Sequence, residues 1–216
     1  MIQVYIDGID ISRYGAYLAD ASGLWDGLTV KSMKTTNWPS QHGEEPHRGS
    51  RFFEARSIKL SIGFLQLHTG QTVAKQVMDL RRILYPYGRP LRLQVKDDDF
   101  PNEQWDYDVD VKKENLADYQ YEDMSAVTIE FTEYLPVKHV FRANAIEVSI
   151  TLNENNGNPI QISWGDYGYP LRNKFSGTFT KSYESADNQI VIVAGVLNNT
   201  VITSATGLTK LYEVLA

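Results

Sequence analysis

Two clusters of side chains in this sequence could in principle bind a metal ion. The first is the run His42-Gly43-Glu44-Glu45-Pro46-His47, which holds two imidazoles and two carboxylates. No helical spacing fixes these ligands relative to one another, and a metal site needs ligands that are held rigidly. We therefore expect a solvated loop here rather than a metal centre.

The second cluster is acidic. Asp106, Asp108 and Asp110 follow an Asp-x-Asp-x-Asp pattern, like the start of an EF-hand calcium loop. The intervening Tyr107 and Val109 are typical of a strand core, and the glycine and the later glutamate that the calcium loop requires are missing. We interpret the three carboxylates as the solvated outer face of a β-strand. The sequence thus predicts no metal and no other cofactor.

Composition narrows the function further. There is no Walker loop, nucleophile elbow or dinucleotide-binding glycine pattern, and no cysteine for a thiol nucleophile or a disulfide. The formal net charge of -6 argues against nucleic-acid binding. No segment approaches the roughly 20 apolar residues of a membrane span, and Met1 to Asp7 lacks the regions of a signal peptide. We predict a protein that is not an enzyme and is made in a cytoplasm.

The stretch from Arg56 to Lys96 predicts a strand, a helix and a second strand. Apolar residues first alternate with polar ones, which is the period of a strand: Ile58, Leu60, Ile62 and Phe64. They then recur at spacings of four, three and four, the stripe of an amphipathic helix: Val73, Val77, Leu80 and Leu84. Thr69 or Thr72 could cap this helix, and Pro86 should end it. We predict that Leu80, in mid-stripe, is buried on a sheet.

The segment from Thr35 to Ser50 contains two prolines and two glycines and few apolar residues, so it predicts a long surface loop. Loops of this length are often functional or disordered. We predict that this loop takes part in self-association, with Trp38 as an anchor and Phe52 and Phe53 beside it. The alternative is a loop without any role.

From about Ile146 the composition shifts to Asn, Thr, Ser and Gly, with short apolar alternations separated by turn residues. This pattern predicts a β-sandwich. Trp164 ends one alternation and should lie in the core, with Tyr183 nearby, and Asp166 should accept backbone N–H bonds in the next turn. The predicted fold is mainly β: an N-terminal β-sandwich with one helix (about 72–85) in residues 1–141, then a small Ig-like sandwich in residues 146–216.

Residues 1–140 resemble the N-terminal domain of the distal tail proteins of long-tailed phages. The resemblance lies in the order of these segments: the opening Val4-Tyr5-Ile6-Asp7-Gly8, a polar loop, Arg56 to Phe64, the helix with Leu80 to Leu84, Leu91 to Val95, Tyr107 to Val111, and Val127 to Phe131 closed by Pro136. It implies a β-sandwich with one helix that assembles into a hexameric ring between the tail tube and the baseplate or tip.

Residues 146–216 resemble a PKD-like module of immunoglobulin type. The matching segments are Ile162 to Asp166, Gly177 to Tyr183, and Ile190 to Ile192. That family usually has a glycine directly after its Trp-Gly-Asp, whereas Tyr167 stands there in this chain. Such modules are spacers or adhesion domains.

Together these patterns indicate a structural virion protein at the tail tip of a phage or prophage. Its expected partners are further copies of itself, the tail tube protein and the baseplate or hub protein, with a host surface glycan as a further candidate. The alternative is a cell-surface carbohydrate-binding or adhesion protein built of two β-sandwiches, and the lack of a signal peptide counts against it.

Overall fold

The computed structural model describes residues 2–32, 35–37, 44–46, 52–65, 72–97, 99–116, 124–153, 155, 157–173, 176–185, 189–195 and 201–215. Within these ranges the chain forms many β-strands, all paired antiparallel, and one α-helix. The mainly β fold with a single helix, predicted from the sequence, is confirmed.

The first part of the chain contains nine of the strands in the described ranges: β1 (Ile2–Ile6), β2 (Ile9–Asp10), β3 (Ala16–Ser22), β4 (Thr35–Asn37), β5 (Glu44–Pro46), β6 (Arg56–Leu65), β7 (Leu91–Asp97), β8 (Phe100–Leu116) and β9 (Met124–Glu133). A 3-10 helix, Ile11–Tyr14, lies between β2 and β3. Seven of the strands make one sheet in the order β2-β1-β7-β8-β9-β6-β3. Strands from both ends of that order, with Ile6 in β1 and Ala16 in β3, bury side chains in one core, so the sheet folds over as a sandwich.

The helix α1 (Val73–Leu84) packs on this sheet. Thr72 is its N-cap and accepts a 3.4 Å hydrogen bond from the Lys75 N–H, which decides between the two threonines that the sequence left open. The helix ends at Leu84, and its C-cap Tyr85 directly precedes Pro86. All four stripe residues are buried, and Leu80 is 1% exposed.

Strand β8 links two halves of the sheet. Its first part pairs with β7, with Leu93 opposite Tyr107, and its second part pairs with β9, with Asp110 opposite Thr132. The register with β9 shifts between Val111 and Lys113. A shift of this kind bends a strand, which suits a sheet that folds over its own core.

The predicted long loop at Thr35–Ser50 is wrong in part, because its described residues are strands. β4 pairs with β5, with Thr36 opposite Glu45, and neither joins another sheet among the described strands. The flanking stretches also pair, through a bridge between Val30 and Phe53. Polar and proline-containing sequence can pair in this way because a two-stranded ribbon needs no buried face of alternating apolar residues.

The second part of the chain forms two facing sheets. Its strands are β10 (Lys138–Ala143), β11 (Glu147–Leu152), β12 (Ile160–Ser163), β13 (Leu171–Asn173), β14 (Gly177–Ser182), β15 (Ile190–Gly195), β16 (Ile202–Thr206) and β17 (Leu208–Val214). One sheet has the order β13-β12-β15-β10-β17 and the other β14-β11-β16. Residues from both sheets, such as Val191 and Ile150, share one core, so this part is a second β-sandwich.

Strand β10 belongs to the second sandwich by its pairing, since Val140 lies opposite Ile192 of β15 and Tyr212 of β17. It includes Arg142 and Ala143, which follow the expected end of the first domain at residue 141. Among the described residues, no helix has the length and apolarity needed to cross a lipid bilayer.

Candidate functional site

The residues predicted for an interface lie in different surroundings. Phe52 is 44% exposed, whereas Phe53 packs, together with Leu28, against the core of the second sandwich of its own chain. Trp38 lies outside the described residues. Phe52 is therefore the member of the predicted set that the structure places on a free surface.

The prediction of a solvated acidic face on β8 is wrong for Asp106 and Asp108, whereas Asp110 is exposed. Asp106 is fully buried, and the Asp108 side chain is 11% exposed. The second sandwich covers this face: Arg92 of β7 bonds Asp108 through Nε (2.7 Å) and the Ile190 carbonyl of β15 through Nη1 (2.8 Å). Alternation along a strand shows which side chains share a face, but it does not show whether another part of the chain packs on that face.

The backbone of Asp106 is held by two side chains of the second sandwich. Its N–H donates to the Tyr212 hydroxyl (2.7 Å), and its carbonyl accepts from Lys138 Nζ (2.5 Å). β9 pairs with β8 only from Asp110 onward, so this part of the β8 edge has no strand partner in the described sheet. Tyr212 and Lys138 satisfy the backbone groups that a missing strand would otherwise leave unpaired.

Lys138 also forms a buried ion pair with Glu133, with Nζ and Oε1 2.5 Å apart. Both side chains are almost fully inaccessible to solvent. Burial raises the pKa of Glu133 above its ordinary value and lowers that of Lys138, while the attraction between the two charges opposes both shifts. Lys138 Nζ also lies 4.2 Å from the ring centre of Tyr107, and Arg56 Nε lies 3.6 Å from Glu133 Oε2. These contacts tie the end of β9 to the start of β10.

The carboxylate of Asp106 is bound by side chains of the first sandwich. Gln94 and Gln104 donate side-chain amide hydrogens to it at 2.7 and 2.8 Å. The buried charge is therefore compensated by hydrogen bonds from neighbouring strands. The result is a polar layer between the sandwiches in which Asp106 takes part through both its side chain and its backbone.

Two tyrosines in one turn of the second sandwich pack on two glycines of the first. The Tyr167 hydroxyl lies against Gly8, and the Tyr169 ring lies against Gly88. Tyr167 has φ 56°, the left-handed conformation that glycine adopts most easily. The position where the PKD-like pattern has glycine thus keeps a glycine-like backbone here but carries a ring that reaches the first sandwich.

The turn at Asp7-Gly8, which contacts Tyr167, is held by residues of the first sandwich. Asp7 accepts hydrogen bonds from the Arg89 guanidinium at 2.7 and 3.2 Å and from the Arg92 N–H at 2.8 Å. This connects the first hairpin to the segment that leads into β7. Residues that meet the second sandwich are therefore themselves held in place within the first.

The structural residues predicted for the second sandwich come together. Trp164 and Tyr183 are buried, and the Tyr183 hydroxyl donates to the Trp164 carbonyl at 2.7 Å. Asp166 accepts from the Gly168 N–H at 3.3 Å and pairs with Lys181. Burial raises the pKa of Asp166, but these hydrogen bonds outweigh it and hold the pKa below its ordinary value. These residues therefore stabilise the turn that carries Tyr167.

A cleft of about 730 Å³ opens beside the polar layer. Its walls come from the turn before β7, the segment after β9 and the outer face of the five-stranded sheet. The residues that matter for its chemistry are Asp108, Asp110, Gln161, Arg172, Tyr134 and Tyr169. The volume lies within the roughly 300–1,000 Å³ of small-molecule sites in proteins.

The structure does not assemble a metal centre from the part of the chain it describes, since no group of three or more His, Cys, Asp or Glu side chains is placed to hold an ion there. His42 and His47 lie outside that part. The Asp106 and Asp108 carboxylates accept hydrogen bonds from Arg92, Gln94 and Gln104 rather than forming a shared coordination sphere.

Sequence reasoning missed the residues that join the sandwiches. Arg92, Glu133 and Lys138 lie within or beside apolar strand sequence, such as Leu91-Arg92-Leu93 and Val137-Lys138-His139-Val140. A charged residue flanked by strand-core residues is the available signal, and it indicates a surface position as readily as a buried pair. The partners are far apart in sequence, so no local pattern reveals them.

The fold and the contacts between its two parts define a protein of two antiparallel β-sandwiches, the first with one helix, that pack against each other through a buried polar layer. No protein-family model matches the chain, and no curated protein sequence matches it either.

Among solved structures, the chain is similar to the SPP1 Dit (gp 19.1) protein, described as a paradigm of the hub adsorption apparatus in phages that infect Gram-positive bacteria. That match has a TM-score of 0.49 and 12% identity, covering 90% of this chain and 98% of the other. It is also similar to chains of the phage p2 baseplate in its activated conformation, with Sr and with Ca, at 9% identity and TM-scores of 0.46 and 0.47; each covers 93% of this chain and 100% of the other.

Proposed function

We propose that this chain is a structural component of a phage or prophage tail tip, a distal tail protein that forms a ring between the tail tube and the baseplate or hub. The sequence resemblance of residues 1–140 motivates the proposal. The role is assembly rather than catalysis, and the partners are other copies of the chain, expected as a hexamer, the tube protein and the hub protein. The location that follows is the virion.

The observation that carries the proposal is the separate ribbon of β4 and β5. These strands pair with each other and with no other described strand. An isolated two-stranded hairpin is marginally stable in water, so a second surface to pack on would stabilise it. A neighbouring subunit in a ring supplies such a surface, and every subunit then both gives and receives the same contact.

Phe52 supports this assignment because it is exposed and follows the end of β5 by six residues. Its neighbour Lys31 donates a backbone hydrogen bond to the Phe52 carbonyl at 2.8 Å, so the backbone at this position is fixed. A large apolar side chain on a fixed backbone is suited to an interface, since little conformational entropy is lost on binding. Trp38 remains a sequence-based candidate for the same surface.

We also propose a division into units of residues 1–133 and 138–216, in place of the boundaries at 141 and 146. The pairing of β10 with β15 and β17 motivates the change. In this proposal the second sandwich, with its PKD-like segments, is a module presented by the ring. The buried polar layer supports a fixed rather than a freely swinging presentation.

The experiment is light scattering on the purified full-length chain, followed by negative-stain microscopy. A ring is expected to have about six times the mass of the 24.5 kDa chain. Replacing residues 33–50 with a short Gly-Ser linker should reduce the mass to that of one chain, and Phe52→Ala should weaken association. Met78→Ala is the matched control, because Met78 is an exposed apolar residue on the helix, far along the chain from the ribbon.

A full-length protein that stays monomeric at every accessible concentration, and also when mixed with its tail tube protein, contradicts the ring. If the oligomer survives the linker replacement, the ring proposal stands, but the ribbon is not part of the contact between subunits. The alternative function, a cell-surface carbohydrate-binding protein, is favoured by the cleft between the sandwiches and predicts a monomer in these measurements.

A further inference from the structure

The cleft between the sandwiches has a mixed polar lining that restricts what can bind there. Asp110 and Arg172 come from different sandwiches and are both solvent-exposed. Arg172 Nε donates to Gln161 Oε1 at 3.1 Å, which orients the guanidinium group. Burial raises the pKa of Asp110, and the positive charge of Arg172 opposes that shift. A molecule bound in the cleft would meet a carboxylate acceptor from the first sandwich and a guanidinium donor from the second.

The other charged groups of the lining already have partners. Asp108 is paired with Arg92, Glu133 with Lys138, and Arg89 with Asp7. An anionic ligand would therefore lie near carboxylates and find no cluster of unpaired cations in the lining. A cationic ligand would lie near Arg89 and Arg172 and find no cluster of unpaired carboxylates there. Desolvating a charged ligand here is not compensated, so the lining favours a neutral molecule that carries both donors and acceptors.

Two tyrosines stand at the mouth of the cleft. Tyr134 follows β9 and is 64% exposed, and Tyr169 belongs to the turn after Trp164 and is 68% exposed. The Tyr169 ring packs on Gly88, where no side chain intervenes, so its position is defined although much of its surface is free. An exposed aromatic face next to polar groups suits a ligand with apolar C–H surfaces and hydroxyl groups on one ring.

We propose that this cleft is a binding site for a neutral saccharide. Vicinal hydroxyl groups can donate to Asp110 and accept from Arg172 at the same time, while the C–H face of a pyranose ring packs on Tyr169. The proposal goes beyond the ring function and does not depend on it, because every residue involved belongs to one chain.

Saturation-transfer NMR and calorimetry on the full-length protein test the proposal, with maltotriose, cellotriose, triacetylchitotriose and an array of neutral glycans as probes. Sialyllactose and trilysine serve as charged comparisons. At least one neutral saccharide should bind, and ¹⁵N shift changes should fall on the cleft residues. Tyr169→Ala and Asp110→Asn should each weaken binding at least about fivefold. Tyr87→Ala, which removes an almost fully exposed tyrosine from the same turn region but outside the cleft lining, should leave affinity unchanged.

Several outcomes overturn the proposal. One is that no neutral saccharide binds. A second is that trilysine or sialyllactose binds more tightly than any of them. A third is binding that persists in both cleft variants with shift changes elsewhere, which would place the sugar at another site. The ¹⁵N shift changes are measured on the unmodified chain, so they locate the bound saccharide even if a cleft variant folds poorly. The mass measurement of the ring is separate, so either proposal can fail while the other stands.

Discussion

The Tyr167 hydroxyl lies so close to Gly8 that a Cβ atom built on Gly8 would be 2.1 Å from it. Gly8 ends the first hairpin turn with φ +74°, and Tyr167 holds a left-handed backbone in the second sandwich. The two sandwiches thus meet at a point where one has no side chain and the other extends a ring. Contact of this kind fixes how closely the two parts can approach.

Gly8→Ala should therefore lower the free energy of unfolding by more than backbone strain alone. Gly157→Ala is the matched control, because Gly157 has φ +72° and no atom within 4 Å of the added methyl group. The control should cost about 1–2 kcal/mol, the penalty of a left-handed alanine. Gly8→Ala should cost about 1–3 kcal/mol beyond that, from the overlap with Tyr167. Urea denaturation measures both.

Combining Gly8→Ala with Tyr167→Ala distinguishes overlap from strain. The double variant should recover part of the stability lost in Gly8→Ala, giving a favourable coupling energy in the double-mutant cycle. Purely additive losses would mean that the two residues do not meet in solution.

Leu80→Ala should lower the free energy of unfolding by about 2–5 kcal/mol, because it opens a cavity between α1 and the sheet. Leu80 is 1% exposed, in the middle of the buried stripe. Met78→Ala on the same helix is the control, since Met78 is 61% exposed and its removal should change stability by less than about 0.5 kcal/mol. Equal losses in the two variants would contradict the packing of this stripe.

Glu133→Gln should destabilise the protein by about 3–5 kcal/mol, because it leaves the Lys138 ammonium buried without its carboxylate. Adding Lys138→Met should restore part of that loss, since the unpaired charge is then gone. Arg82→Met is the control: Arg82 pairs with Asp79 at the surface, and its loss should cost less than about 1 kcal/mol. A double variant less stable than Glu133→Gln would show that the ion pair is not the source of the effect.

Asp166 gives a prediction about pH. Its folded-state pKa is lowered, so its ion pair with Lys181 contributes stability above the ordinary carboxyl pKa of 3.8 and loses it as pH falls through the folded value. Asp166→Asn should therefore be less stable than the wild type near neutral pH, and the difference should shrink in acid below that pKa. Both side chains are about one-third exposed, so the difference should be about 1 kcal/mol or less.

Lys181→Met should show the same pH dependence of the difference from wild type, because it removes the other half of the pair. Thermal unfolding followed at several pH values measures both variants. A stability difference that stays constant across the acid range would assign the effect to something other than the Asp166 charge.

Local periodicity was sufficient for the helix and the buried strand faces of the first sandwich, but not for the ribbon of β4 and β5. Leu80 and Ile62 could be assigned to buried faces because the spacing of apolar residues reports the face of a helix or strand directly. Thr72 could not be chosen over Thr69 as the N-cap, since both residue types cap helices and only the backbone geometry separates them.

The polar contacts between the two sandwiches could not be predicted in the same way. Asp106 and Arg92 were visible as charged residues in strands, but their partners Tyr212 and the Ile190 carbonyl are about a hundred positions away. A polar face reads the same in sequence whether water or another sheet covers it. The cleft residues Asp110 and Arg172 are brought into one cleft by that same packing, so the cleft could not be predicted from the sequence either.

The way Asp106 is bound has a mechanical consequence. Its peptide groups are held by Tyr212 and Lys138, and β8 is the central strand in the order of the seven-stranded sheet. Tension applied to the second sandwich is delivered to the middle strand of the first sheet, which pairs with β7 along its first part and with β9 along its second part. Rupture there requires several hydrogen bonds to shear together, whereas a pull on an edge strand would open them one after another.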